Sequence, residues 1–192
     1  MDLMGLLGDK LSDPDILKQL GNSVNASPDQ VEQATRIGLP TILEQISRNS
    51  GSKEGRESLA NALDQHKDDD ISDIAGFLKG VDTKDGSKIL QHVFSNKNDK
   101  VQNSIATQSG MDSSQVSGLM SMLAPMVLGA LGNQKKYQGL DADGVANFTS
   151  QLIKSSGKND GLMGMANKLL DSDGDGDIMD DVGGLLGKFF KK

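Results

Sequence analysis

The chain has no cysteine and no tryptophan, only two histidines, and 3% aromatic residues in all. Without cysteine there is no disulfide, no thiolate nucleophile and no zinc or iron–sulfur site resting on thiolates, although this absence identifies no compartment. His66 and His92 do not make a paired-histidine metal motif, and neither a nucleophile elbow nor a dinucleotide fingerprint is present. Gly187-Lys188 is not a phosphate loop: the glycine spacing is wrong, Phe follows in place of Ser/Thr, and no strand precedes it. A formal charge of −7 lacks the clustered Lys and Arg that a phosphate backbone demands, so nucleic acid is not an expected partner. No run of alternating apolar and polar residues reads as a strand.

What remains is a helical pattern. At 192 residues, 35% of them hydrophobic, the chain is long enough for a core, which must be built from Leu, Ile, Val, Ala and 9 methionines. The pattern is strongest over 113–134, where no side chain is charged. There Val116, Leu119, Met120, Leu123, Met126, Val127, Ala130 and Leu131 recur at helical spacing. Asp112 with Gln115 three residues on forms a capping box, which satisfies orphan N–H groups at a helix start. The stretch is about long enough to span a membrane, since roughly 20 apolar residues do so. It also carries Ser, Gln, Asn and several glycines, and a second copy argues for a buried core helix instead.

That copy begins at Ser27-Pro28-Asp29-Gln30, again a capping box, and continues through Val31, Ala34, Gly38, Ile42, Leu43 and Ile46. Pro40 stands as far beyond Ser27 as Pro125 does beyond Asp112, and Leu59-Ala60-Asn61 parallels Val145-Ala146-Asn147. Matched segments in one order at nearly one offset point to an internal duplication, with a first repeat over about 10–95 and a second over about 98–190. The first copy bears Glu32, Arg36 and Glu44, which a membrane span would not tolerate cheaply. The expected fold is therefore an all-α multihelical array in one globular domain, 1–192. Two tandem repeats build it, with long central helices kinked at Pro40 and Pro125. A kink that wraps each helix around its neighbours is the plainer reading than a hinge or binding groove.

About eight to ten helices are expected. Residues 1–8 read as a short docking helix rather than a signal peptide, so a cytoplasmic location is expected. Ser12-Asp13-Pro14 starts a helix of about a dozen residues. Residues 48–56 read as a polar turn, 67–70 as a solvated acidic loop whose acids favour the positive end of the helix of Ile71 and Ile74, and 82–86 as a turn before Ile89. Asp141 is placed as the cap of the helix bearing Val145 and Phe148, and Leu162, Met165 and Leu169 on another. His92, among apolar residues, reads as a packed core histidine, and His66 as the end of a helix, where a cation suits the dipole.

One stretch points at chemistry. Asp171, Asp173 and Asp175, with Gly176 and Ile178, follow the spacing of an EF-hand calcium loop, and the carbonyl of Asp177 takes the seventh place. Alternate carboxylates in a tight loop converge on one point, and hard cations take such oxygen shells. The loop departs at the twelfth position, where Val182 replaces the bidentate glutamate and Asp180 and Asp181 come early. The metal candidates are thus Asp171, Asp173, Asp175, Asp177, Asp180 and Asp181, with Ca2+ as the cofactor; the competing reading is an acidic turn capping the last helix. A helix over 182–192 follows, with Phe189, Phe190 and three lysines in its last five residues. A docked terminal helix is preferred to a tail lying on a membrane surface or in a partner groove, because the stretch is short.

MDLMGLLGDKLSD at the start, SSQVSGLMSMLAPMVLGALG in the middle and LLDSDGDGDIMDDVGGLLGKFF at the end together resemble the bacterial domain-of-unknown-function family 937, related to YidB-like proteins. The resemblance covers nearly the whole chain and implies a multihelical array and a bacterial source. It implies no activity, so no catalytic residue is carried over. The expected function is that of a non-enzymatic interaction or structural module with an unidentified protein partner. A membrane-peripheral role for the tail and a hydrolase with a dispersed acidic site are the alternatives. A deep cleft lined by acids and a histidine would favour the last.

Overall fold

The computed structural model describes residues 3–156, with Gly164 and Leu170 beyond them. The described residues contain no strand. They form α1 (Leu3–Leu11), α2 (Pro14–Val24), α3 (Pro28–Asn49), α4 (Lys53–His66), α5 (Ile74–Gly80), α6 (Thr83–Phe94), α7 (Asn98–Ser109), α8 (Ser113–Gln138) and α9 (Ala142–Ser156), with a single 3-10 turn at Ser95–Lys97. The all-helical expectation holds.

Local chemistry sets most boundaries. Asp13, Ser52, Asp73 and Asp82 each accept a backbone N–H of the helix they precede, and Asp141 Oδ1 accepts from Gly144 N at 2.8 Å. These are the orphan donors that every helix start leaves. The caps also correct three boundaries. The turn at 48–56 shrinks to 50–52, because α3 runs to Asn49 and Ser52 already caps α4. The helix placed at Ile71 starts at Ile74, capped by Asp73. The turn at 82–86 is the first turn of α6, since Asp82 Oδ1 takes the N–H groups of Lys84 and Asp85. In the first and third cases a Ser or Asp read as turn material is a cap; in the second, Asp73, read as part of the helix of Ile71 and Ile74, stands at its start.

α8 lies at the centre, and every residue from Leu119 to Gly132 is buried. Burying Leu119, Leu123, Met126 and Leu131 contributes about 1.5–3 kcal/mol each. It is the one described helix long and apolar enough to cross a membrane, yet 83% of its apolar 18-residue stretch is buried inside the protein. α3 crosses the same core, buried without a break from Ile37 to Leu43. Both prolines lie inside these helices. Pro125 has no N–H for the Ser121 carbonyl, and Gly86 of α6 lies against that carbonyl, where a Cβ would run into backbone. Only glycine lets α6 approach α8 so closely. At the N-terminus, α1 docks as expected, with Leu7 and Leu11 in the core.

The two long helices are joined at their starts by a reciprocal contact. Gln30 Oε1 accepts from Ser27 N, closing the α3 capping box, and Gln30 Nε2 donates to the carbonyl of Gly110, the left-handed residue ending α7. Gln115 Oε1 accepts from Asp112 N, closing the α8 box, and Gln115 Nε2 donates to the carbonyl of Asn25, the left-handed residue ending α2. Asn25 and Gly110, at φ 56° and 69°, are residue types that tolerate this conformation. Each turn is pinned to the other by the glutamine of its own helix.

Candidate functional site

Two hollows flank α6. The first is an apolar cleft of about 250 Å³ between α4 and α6. Leu59 and Ala62 form one wall, Ile89 and Val93 the other, and Ile46 and Leu128 the floor. The spacing of these wall residues puts each pair on one helix face. Leu59, Ala62 and Ile89 are half-buried, so the apolar surface opens to solvent. Asn49 fixes the end of the cleft by donating to the Val93 carbonyl at 2.9 Å. Ser58 and His92 sit at the lip, Oγ to Nε2 at 3.4 Å, with Lys88 beside them. His92 is exposed, which corrects the core-histidine expectation. Its apolar neighbours Leu90, Val93 and Phe94 turn inward, whereas positions 91 and 92 fall on the solvent side of the helix.

The second hollow, of about 500 Å³, lies where α4 ends and α6 begins. It is lined by His66 and by Asp69, Asp70, Asp73, Asp82 and Asp85, with Phe77 and Pro125 among its apolar lining. His66, the last residue of α4 as expected, holds Asp69 Oδ2 at 2.8 Å through Nδ1 and lies 3.7 Å from Asp85 Oδ2 through Nε2. Most of these acids have structural work. Asp73 and Asp82 are helix caps, and Asp70 accepts from the N–H and hydroxyl of Ser72, which holds its carboxyl below the ordinary value.

The acidic loop at 67–70, expected to be a solvated connection, keeps Asp68 and Asp70 exposed and is also stapled to α8. Lys136 Nζ meets Asp68 Oδ1 at 2.5 Å and lowers its pKa by hydrogen bond and charge. Lys135 does the same for Asp64. Asn133 Nδ2 donates to the Asp69 carbonyl at 3.0 Å. Among the described residues, no group of three or more His, Asp or Glu is arranged to hold a metal ion. The calcium candidates Asp171, Asp173, Asp175, Asp177, Asp180 and Asp181, and the tail 182–192, lie outside the described residues, as do Leu162, Met165 and Leu169.

The cleft had no signal in the sequence as a site. Its walls come from α4 and α6, whose residues read one helix at a time as ordinary core stripes. The hollow around His66 was hinted at only by the charge run at 67–70.

Neither the comparison with curated proteins nor that with solved structures finds a match. The model of the family described as "Bacterial protein of unknown function (DUF937)" matches residues 6–134, which run from α1 through the buried length of α8. With most of its length and both capped, proline-bearing core helices inside that match, the chain belongs to this bacterial family of unknown function.

Proposed function

We propose that the protein is a non-enzymatic interaction module whose receptor surface is the cleft between α4 and α6. The carrying observation is that this cleft is apolar, open and fixed at its end by Asn49, while in the second hollow Asp73 and Asp82 serve as helix caps and Asp70 is held by Ser72. Two parallel helix faces with a gap between them suit a guest helix that inserts apolar side chains at helical spacing. Selection of displayed helical peptides against the full chain tests this. Binders with paired apolar anchors are expected, losing at least tenfold in affinity to Ala62→Arg. A selection that yields nothing, or binders indifferent to that substitution, overturns the reading.

His66 supports a second reading. A histidine between two carboxylates in a hollow can relay a proton, as a general base in hydrolysis would require. Turnover on a panel of ester, amide and phosphate substrates, abolished by His66→Gln, would establish it; silence across the panel would dismiss it.

The finer reading of residues 171–181 as a calcium loop rests on ligand spacing. Its test is calorimetric titration with calcium, together with thermal melting with and without chelator, on the wild type and on Asp173→Ala with Asp175→Ala. A ligand that binds the native state raises the melting temperature with its concentration, and the double variant should lose that rise. No heat and no shift at millimolar calcium would end the metal reading and leave the acidic cap.

A further inference from the structure

We infer that the cleft between α4 and α6 binds a medium-chain carboxylate, an unbranched acyl chain seated between the helices with its charged head at the lip. Such a ligand goes beyond the guest helix proposed above and stands or falls separately from it. The placement of polar atoms points to it. Ile46, Leu59, Ala62, Ile89, Val93 and Leu128 give the cleft an aliphatic interior. Asn49, the polar side chain at its end, is already engaged: Oδ1 accepts from Gln45 Nε2 at 2.7 Å, and Nδ2 donates to the Val93 carbonyl at 2.9 Å. The interior therefore suits alkyl groups, and a polar group pushed into it would lose its hydrogen bonds to water.

The lip has the opposite character. Lys88 and His92 stand four residues apart on one face of α6, and Ser58 of α4 meets them there, its Oγ 3.4 Å from His92 Nε2. All three are exposed, and an ammonium, an imidazole N–H and a hydroxyl can each donate to one acceptor placed among them. No carboxylate lines the cleft among the described residues, and Lys88 forms no ion pair with any of them. One cation at the mouth of an aliphatic slot complements an alkyl chain that ends in one negative charge. A carboxylate carries that single charge, whereas a phosphate monoester carries up to two. The head stays at the water boundary, so its charge escapes the cost of burial.

Size sets the chain length. At about 250 Å³ the cleft lies below the range of roughly 300–1,000 Å³ typical of small-molecule pockets, and a narrow gap between two helices suits a slim chain. With roughly 30 Å³ for each water-sized group, it takes about eight methylenes. Affinity should rise roughly fourfold with each methylene that leaves water for the cleft, and level off beyond about ten carbons.

Calorimetric titration of the full chain with sodium octanoate tests this, beside octyltrimethylammonium, a probe of equal chain and opposite charge. One octanoate per chain is expected, with the cation bound at least tenfold more weakly. Lys88→Glu, an exposed substitution that leaves the core intact, should weaken octanoate at least tenfold and strengthen the cation. Lys84→Glu, one turn earlier on α6 and outside the cleft, should change neither. A series from hexanoate to dodecanoate should show the rise and the plateau. No heat at millimolar octanoate overturns the inference, as do equal binding of the two probes, equal losses at Lys84 and Lys88, or a gain that continues undiminished to dodecanoate. Octyl phosphate binding tenfold tighter than octanoate would assign the lip to a phosphate head and overturn the carboxylate. If octanoate fails while selected helical peptides still bind and still respond to Ala62→Arg, the receptor reading stands without this ligand.

Discussion

α3 and α8 begin alike and end up differently. Each opens on a capping box closed by a glutamine, each follows a turn ended by a left-handed residue, and each carries its proline at the same distance from the cap. Even the hydrogen bonds of the preceding turns correspond: Ala26 N to Gly21 O at 2.9 Å, Met111 N to Ala106 O at 3.2 Å. Yet α3 carries Glu32, Arg36, Glu44 and Arg48, whereas α8 is uncharged as far as Lys135. The difference reports position in the layers. α8 is enclosed by α3, α4, α6 and α7, whereas α3 keeps an outer edge where Arg36 is exposed and Arg48 pairs with Glu44 at 3.0 Å. Charge content follows the neighbours, while the caps and prolines are common to both helices. We propose, on these matches, that the two halves descend from one duplicated unit.

The sharpest break in the comparison should come at the glycines. Gly86→Ala places a methyl group against the Ser121 backbone, which cannot yield without moving α6 off α8. A loss of about 3 kcal/mol or more is expected, at the upper end of overpacking costs. Gly38→Ala in α3 meets only the sulfur of Met120, the flexible end of a side chain, and should cost less than about 1.5 kcal/mol. Urea unfolding of the two variants measures both. Equal losses would mean that the approach of α6 to the proline of α8 is no tighter than the packing around α3.

The reciprocal glutamines come next. Gln30→Ala and Gln115→Ala each remove a capping acceptor and a hydrogen bond to the other half, worth about 1–2 kcal/mol together. If the halves are equivalent here, the two losses should agree within about 0.5 kcal/mol, the usual scatter of such comparisons. A loss at one glutamine only would show that one crossing carries the joint.

Much of this was legible because capping is local. Ser27 with Gln30, Asp112 with Gln115, and Asp141 before Val145 announce helix starts within four residues, and helical spacing of Leu, Met and Val gives the buried face of α8. What was not legible depends on packing between distant segments. Asp82 looked like a turn aspartate because a cap and a turn acid have the same composition, and Asp73, between Ile71 and Ile74, looked like a residue of the helix it caps. His92 looked buried because its sequence neighbours are apolar, although residues adjacent in a helix point apart. The cleft requires α4 and α6 to lie side by side, which nothing in either helix specifies.

The smallest expected effect separates the two caps by pH. The α3 cap, Ser27, does not titrate, whereas the α8 cap, Asp112, is a carboxylate. The Ser114 hydroxyl at 2.7 Å and the Gln115 N–H at 2.8 Å hold its pKa below the ordinary value. A carboxyl whose folded pKa is depressed contributes stability above its unfolded value, near pH 4, and loses that contribution as pH falls through the lower folded value. Asp112 therefore contributes to stability at neutral pH and steepens unfolding in acid. Asp112→Ser should flatten the stability profile below about pH 4 while keeping an N-cap, and Ser27→Asp should steepen it, because a carboxylate at a helix start is favoured by the dipole. Chemical denaturation at pH 3 and pH 7 reads both variants. Identical profiles for the two would show that the charged cap of α8 gives it no acid sensitivity that α3 lacks, and the comparison of the two helix starts would reduce to their shared geometry.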